Sequence, residues 1–193
     1  MGSSLEERLR SVVDPLDTFH DEAPAESRRV AAVLMLFDTR NDGLPLLFLE
    51  RTAHLRHHAG QIGFPGGGAE PGDSSVVATA LREAGEEAGI PADAVEVIGL
   101  LPPLLTATSD NWLTAVVGLQ QRDIELHPDP FEVARLFRLE LGAIMEAPHT
   151  MHTLTHEGRS RQVHFYELDG NVIWGVTAAI VAELIGRVQI DRG

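Results

Sequence analysis

The apolar positions of the chain follow two periods. Helical spacing governs the two ends and one central stretch; short, dense or alternating runs fill the rest. Leu5, Leu9, Val12 and Val13 recur at near-helical intervals, which predicts a helix from Ser4 to about Leu16, stopped by Pro15. A polar linker, His20–Ser27, follows. RVAAVLMLFD, from Arg29 to Asp38, is an apolar run rich in Val and reads as a buried strand. Thr39–Gly43, which contains Asn41-Asp42-Gly43, reads as a hairpin turn, and Leu46–Arg51 as the returning strand. Further strands are expected at Gln61–Phe64, Ala94–Leu101, Leu113–Leu119 and Glu132–Leu139, with a helical turn at Leu141–Glu146. Met151–His156 and Gln162–Leu168 alternate on either side of Glu157-Gly158-Arg159-Ser160, which predicts a second hairpin. Val172–Trp174 reads as a short strand. A closing amphipathic helix, Gly175–Val188, carries Val176, Ala179, Ile180, Glu183, Leu184 and Arg187. The pattern by itself gives a mixed α and β class, with residues 1–28 as a helix and linker packed on a domain of residues 29–193.

The central helix sits at the end of GQIGFPGGGAEPGDSSVVATALREAGEEAGI, from Gly60 to Ile90. Asp73, Ser74 and Ser75 offer side-chain oxygens to its first free N–H groups, with Asp73 the favoured cap. Gly89 and Pro91 end it. Val77, Leu81, Ala84 and Ala88 fall on one stripe, while Glu83, Glu86 and Glu87 cluster on another side. Three like charges at this spacing weaken an isolated helix. They form either a solvated acidic face or a seat for a hard divalent cation such as Mg²⁺ or Mn²⁺, which prefers carboxylate oxygens. Gly66-Gly67-Gly68 upstream reads as a turn whose backbone N–H groups can face an anion. Gly85, inside the helix, costs about 1 kcal/mol relative to alanine, which predicts close packing by another backbone segment.

This stretch resembles the signature of the Nudix hydrolases: Gly, five residues, Glu, seven residues, then Arg-Glu-apolar-any-Glu-Glu-any-Gly-apolar. Arg82 to Ile90 fill the second half without a gap. The first half departs, because Asp73 stands in the acidic slot counted from Gly67, with one residue more before Arg82. That shift resembles the subgroup that cleaves coenzyme A. So does the upstream spacing of Arg51, Arg56, Gly60, Phe64, Pro65, Gly66 and Gly67. Leu47, Phe48, Leu49 and Thr52 depart mildly from that motif.

The resemblance implies an α/β/α sandwich with a mixed sheet and hydrolysis of a diphosphate bond. Mg²⁺ or Mn²⁺ would sit on Glu83, Glu86 and Glu87. Arg82 would hold the neighbouring glutamates. Glu83 or the later Glu132 would be the general base. Arg51, Arg56, Gly66 and Gly67 would contact the substrate, coenzyme A or a derivative. Another nucleoside diphosphate derivative such as ADP-ribose, or a non-catalytic nucleotide-binding module, are the alternatives. His54, His57 and His58 fall in the same upstream loop and read as loop residues near the pocket rather than as metal ligands.

Composition narrows the chemistry. At 193 residues, with 44% hydrophobic and 23% charged content, the chain suits one soluble domain. It has no cysteine, which excludes disulfides and thiolate metal sites. All of its 15 basic side chains are arginine, so lysine bases and Schiff bases are excluded. The net charge of −14 argues against a nucleic-acid partner and favours a metal bridge to an anionic small molecule. MGSSLEERLR lacks the apolar core of a signal peptide, and Leu5 and Glu6 do not fit a myristoylation site. The run around Val172–Ile185 contains Gly175 and Glu183 and reads as a core helix, not a membrane span. A cytoplasmic protein is expected.

Overall fold

The strand Val30–Asp38 (β1) is the axis of the main sheet. Its side chains alternate between two separate cores, which is why the run is apolar throughout. Ala32, Leu34 and Leu36 join one core, while Ala31, Met35 and Phe37 join the other. The computed structural model describes residues 4–18, 29–55, 58–106, 111–156 and 159–190.

β1 runs parallel to Trp112–Gln120 (β7) over its full length, from Val30 opposite Trp112 to Asp38 opposite Gln120. Val95–Leu100 (β5) and Leu104–Leu105 (β6) pair antiparallel with β7. On the other side, Pro45–Arg51 (β2) meets β1 only near the turn, at Phe37 and Leu46, and the two strands then diverge. The following chain fills the fork. Ile62–Gly63 (β3) pairs with β2, and Gly66–Gly68 (β4) pairs with β1. The glycine triplet is therefore a strand and not the expected turn. Glycine is needed at its first position because a Cβ on Gly66 would lie 2.4 Å from the Ala32 carbonyl oxygen. Val133–Glu140 (β8) closes the outer edge against β2.

The helix Val76–Ala88 (α2) covers one face of this sheet through Ala80, Ala84 and Ala88. The helices Leu5–Val12 (α1) and Gly175–Ile190 (α4) pack into the core on the other face. This is an α/β/α sandwich with a mixed sheet. His149–His156 (β9), Arg159–Leu168 (β10) and Asn171–Trp174 (β11) form a second, antiparallel sheet, preceded by the short helix Leu141–Glu146 (α3).

α1 is shorter than its apolar spacing suggested. Ser4 and Glu7 form a reciprocal cap at its start. Val13 is already extended, and Asp14 bridges to Leu100 instead of continuing the helix. Arg187 ties this segment down through the Val12 carbonyl at 2.9 Å and Asp14 at 2.8 Å. In α4 the buried row is Thr177, Val181, Leu184 and Val188, while Val176 and Glu183 face outward. The expected linker His20–Ser27 lies outside the described residues. Among the described residues no helix is long and apolar enough to cross a membrane.

Candidate active site

Small side chains let α2 lie close on the sheet, and this places its acidic side under β4. Ser75 is the N-cap, its Oγ accepting from Ala78 N–H at 3.2 Å. Gly89, at φ 68°, ends the helix in the left-handed conformation. The three glutamates then occupy three environments. Glu86 points outward with its side chain 60% exposed. Glu83 lies partly buried beneath Gly67, where a Cβ would fall 2.5 Å from its carboxylate. Glu87 is 5% exposed and accepts from Gly66 N–H at 2.9 Å. Gly66 N–H, expected to face a substrate anion, donates here to a carboxylate of the chain itself.

Burial raises Glu83, against the pull of Arg82. Burial also pushes Glu87 up to about 7, with the Gly66 N–H and Arg51 opposing and Glu83 and Glu132 adding to it.

Arg82 is held from several sides. Nε and Nη2 donate to the two oxygens of Asp73, each at 3.1 Å, and Nη2 also reaches the Gly68 carbonyl at 2.9 Å. Nη1 donates to Glu83 at 3.0 Å and to Glu86 at 3.1 Å. Asp73 is therefore not the helix cap. It accepts from Arg82, from the Thr79 hydroxyl at 3.0 Å and from Glu70 N–H at 2.9 Å, and Arg82 chiefly holds its carboxyl down at about 2. Gly85 also departs from expectation. A Cβ there would meet only the Ile90 carbonyl oxygen, at an ordinary 3.5 Å.

Arg51 joins this helix to a distant loop. Its Nη1 donates to Glu87 at 3.2 Å and its Nη2 to Glu132 at 3.1 Å. The register between β2 and β8 shifts between Glu50 and Arg51, where Ala134 is the extra residue on β8. Thr52 holds the Glu132 segment through Glu132 O at 2.9 Å and Phe131 O at 2.8 Å. His127 N–H and Asp129 N–H cap the Ala88 and Glu87 carbonyls at 2.9 and 3.0 Å. Arg56 and His57 lie outside the described residues. His54 stacks edge-on against Phe131, and His58 Nδ1 pairs with Gln61 Oε1 at 2.8 Å.

A cavity of about 670 Å³ opens beside these groups. Arg51 and Gly66 to Gly68 line it on one side; Leu154, Arg161, Val163 and Trp174 of the second sheet line it on another. Sequence reasoning missed this second wall, although the alternation along β9 and β10 marks it as one face.

No three His, Asp or Glu side chains among the described residues converge on a common point as a ready ion cage. The donors nevertheless suit a hard divalent cation. All are carboxylate oxygens, they occupy one helical turn, and Glu87 is desolvated beyond what its partners offset.

A mixed-sheet sandwich with a braced acidic helix beside a glycine-lined cavity sets a seat for a divalent cation next to a cleft able to take an anionic ligand. The chain belongs to the Nudix family, since residues 27–159 match the NUDIX domain. It is similar to uncharacterized Nudix hydrolases NudL. That of Photorhabdus laumondii is 40% identical over 167 residues, covering 86% of this chain and 88% of the relative. That of Yersinia enterocolitica is 43% identical over 146 residues, covering 75% and 74%. Among solved structures, a MutT/nudix family protein from Enterococcus faecalis shares the fold at TM-score 0.53 and 15% identity, over 98% of this chain and 76% of that one. The C. elegans Ap4A hydrolase does so at TM-score 0.50 and 19% identity, over 60% and 83%. The protein is a Nudix hydrolase, an enzyme acting on diphosphates, in a family that generally uses divalent ions such as Mg²⁺ or Mn²⁺.

Proposed function

We propose that the enzyme hydrolyses the diphosphate bond of coenzyme A or a derivative, giving 3′,5′-ADP and 4′-phosphopantetheine or its acylated form. The observation that carries this reading is the position of Arg51. This residue of the upstream motif lines the cavity and touches both Glu87 of the signature helix and Glu132. The two motifs thus meet at one place.

Glu83, Glu86 and Glu87 would hold Mg²⁺ or Mn²⁺. When bound, the cation supplies neutralisation of the diphosphate charge and a more acidic water. The remaining work belongs to the chain. Arg82, anchored on Asp73, orients Glu83 and Glu86 by charge-assisted hydrogen bonds. Glu83 and Glu132 are the groups able to take a proton from the attacking water, and rates of Glu83→Gln and Glu132→Gln across pH separate them. Arg51 and Arg56 are the phosphate contacts proposed for the substrate.

The test is incubation with coenzyme A and with ADP-ribose in Mg²⁺ or Mn²⁺, with products identified by mass spectrometry. The expected result is faster release of 3′,5′-ADP from coenzyme A than of AMP from ADP-ribose. The reverse preference overturns the substrate. No turnover of either compound or of other diphosphates leaves a nucleotide-binding module as the better reading.

A further inference from the structure

Arg51 is held more loosely than other arginines that tie elements of the fold together. Its two ion pairs, at 3.2 and 3.1 Å, engage one guanidinium nitrogen each and are longer than strong charge-assisted bonds. Arg135 closes on Glu50 at 2.6 Å and Arg187 on Asp14 at 2.8 Å. Arg82, at similar distances to Arg51, has Asp73, Glu83, Glu86 and the Gly68 carbonyl to hold it. Arg51 has no such surplus. Its Nε is buried without a hydrogen-bond partner, which is a cost in the present arrangement. Its side chain also borders the cavity.

The two carboxylates it bridges come from different elements, the signature helix and the segment before β8. Glu87 is the least exposed of the acidic cluster, and a buried carboxylate without a counter-charge is strongly unfavourable. Both Glu87 oxygens are engaged, Oε1 by Arg51 and Oε2 by Gly66 N–H, whereas Arg82 engages one oxygen each of Glu83 and Glu86, so a divalent cation reaching Glu87 competes with the Arg51 guanidinium.

We propose that Arg51 is an internal counter-ion that occupies Glu87 and Glu132 until a divalent cation takes Glu87 and then turns its fork to a phosphate oxygen of the ligand. This rests on the reading of Glu87 as a metal ligand. Metal and diphosphate are then coupled through one side chain: the cation releases the arginine that the anion requires, and by linkage the anion favours the cation.

The coupling has a sign that a merely structural role lacks. If Arg51 competes with the cation, Arg51→Gln binds Mn²⁺ more tightly than the parent in the absence of nucleotide. If Arg51 only props the glutamates in place, the same change weakens binding. Free Mn²⁺ measured by electron paramagnetic resonance gives the dissociation constant without any turnover. Roughly tenfold tighter binding is expected for Arg51→Gln, with Arg51→Lys between it and the parent. Unchanged or weaker binding overturns the proposal. Absence of Mn²⁺ binding by the parent overturns the metal reading beneath it.

Should Arg51→Gln fail to fold, the parent protein decides by ¹⁵N NMR of the arginine Nε–Hε groups. Saturation with Mg²⁺ is expected to lower the heteronuclear NOE of Arg51 while leaving Arg82 rigid. Adding α,β-methylene-ADP, whose bridge cannot be hydrolysed, is expected to restore it. An Arg51 signal that stays rigid on Mg²⁺ addition overturns the proposal.

Discussion

Replacing Glu87 by glutamine separates stability from chemistry. Without metal, burial raises the Glu87 carboxyl from its ordinary 4.5 to about 7, even with Gly66 N–H and Arg51 pulling the other way. Between these values the folded protein holds a proton that the unfolded chain has lost. The stability this group contributes is therefore full below pH 4.5 and lost as pH rises through 7. The gap corresponds to roughly 3 kcal/mol, an upper figure because the site can relax. Glutamine keeps an acceptor for Gly66 N–H and for Arg51 but carries no charge to desolvate. In EDTA the variant should be close to the parent at pH 5 and exceed it at pH 8.5, by as much as about 12 °C in Tm for a chain of this size. Mg²⁺ at a hundred times Kd should stabilise the parent by about 2.7 kcal/mol through mass action, and so raise its Tm, while leaving the variant unchanged. Turnover should be lost. Thermal unfolding followed by circular dichroism at the two pH values is the assay. A Glu87→Gln protein less stable than the parent in EDTA at pH 8.5 would refute the reasoning, because the buried charge would then be a net stabiliser.

Three further outcomes follow from the same geometry. Gly67→Ala places a Cβ against the Glu83 carboxylate and should cut kcat on the order of 10²-fold with little change in Tm, measured by steady-state kinetics beside thermal melts. Asp73→Ala frees Arg82 and should lower kcat about 10- to 100-fold without loss of helix, since Ser75 remains the cap; acid unfolding should also change, because the Asp73 contribution is present above about pH 4 and lost as pH falls toward 2. Gly85→Ala meets no steric conflict in an exposed helix interior and should add about 0.5–1 kcal/mol in urea unfolding; a loss of stability would mean a neighbour closer than the Ile90 carbonyl.

Much of the fold was legible because apolar runs and periods map onto it directly. β1, β2, β5, β7, β8 and the second hairpin all lie where alternation or density placed them. What was not legible depended on partners distant in sequence. Three glycines carry no strand propensity, and β4 is a strand only because β1 and β2 diverge and leave a gap. Asp73 beside a run of two serines looks like a cap, and only the loop geometry turns it toward Arg82, nine positions later. Glu87 was closer to legible. On a helical wheel it falls about 20° from Ala80, at the edge of the packed stripe, so its burial follows from angle alone. The pairing of Arg51 with Glu132 needed the β2–β8 bulge, which no local pattern announces.

The walls of the cavity come from separate lengths of chain. Arg51 and the glycines beside the acidic helix lie between residues 51 and 68, whereas the facing wall, with Leu154, Arg161, Val163 and Trp174, is supplied by residues 154–180. The protein is thus modular at its cleft. Exchanging the β9–β11 sheet with that of a relative should redirect which compound is accepted while Mn²⁺ binding stays as it was. A chimera that lost Mn²⁺ binding would show that the two segments cannot be traded. Variation among relatives in these strands would then read as a record of diet, and variation in α2 as loss of the trade itself.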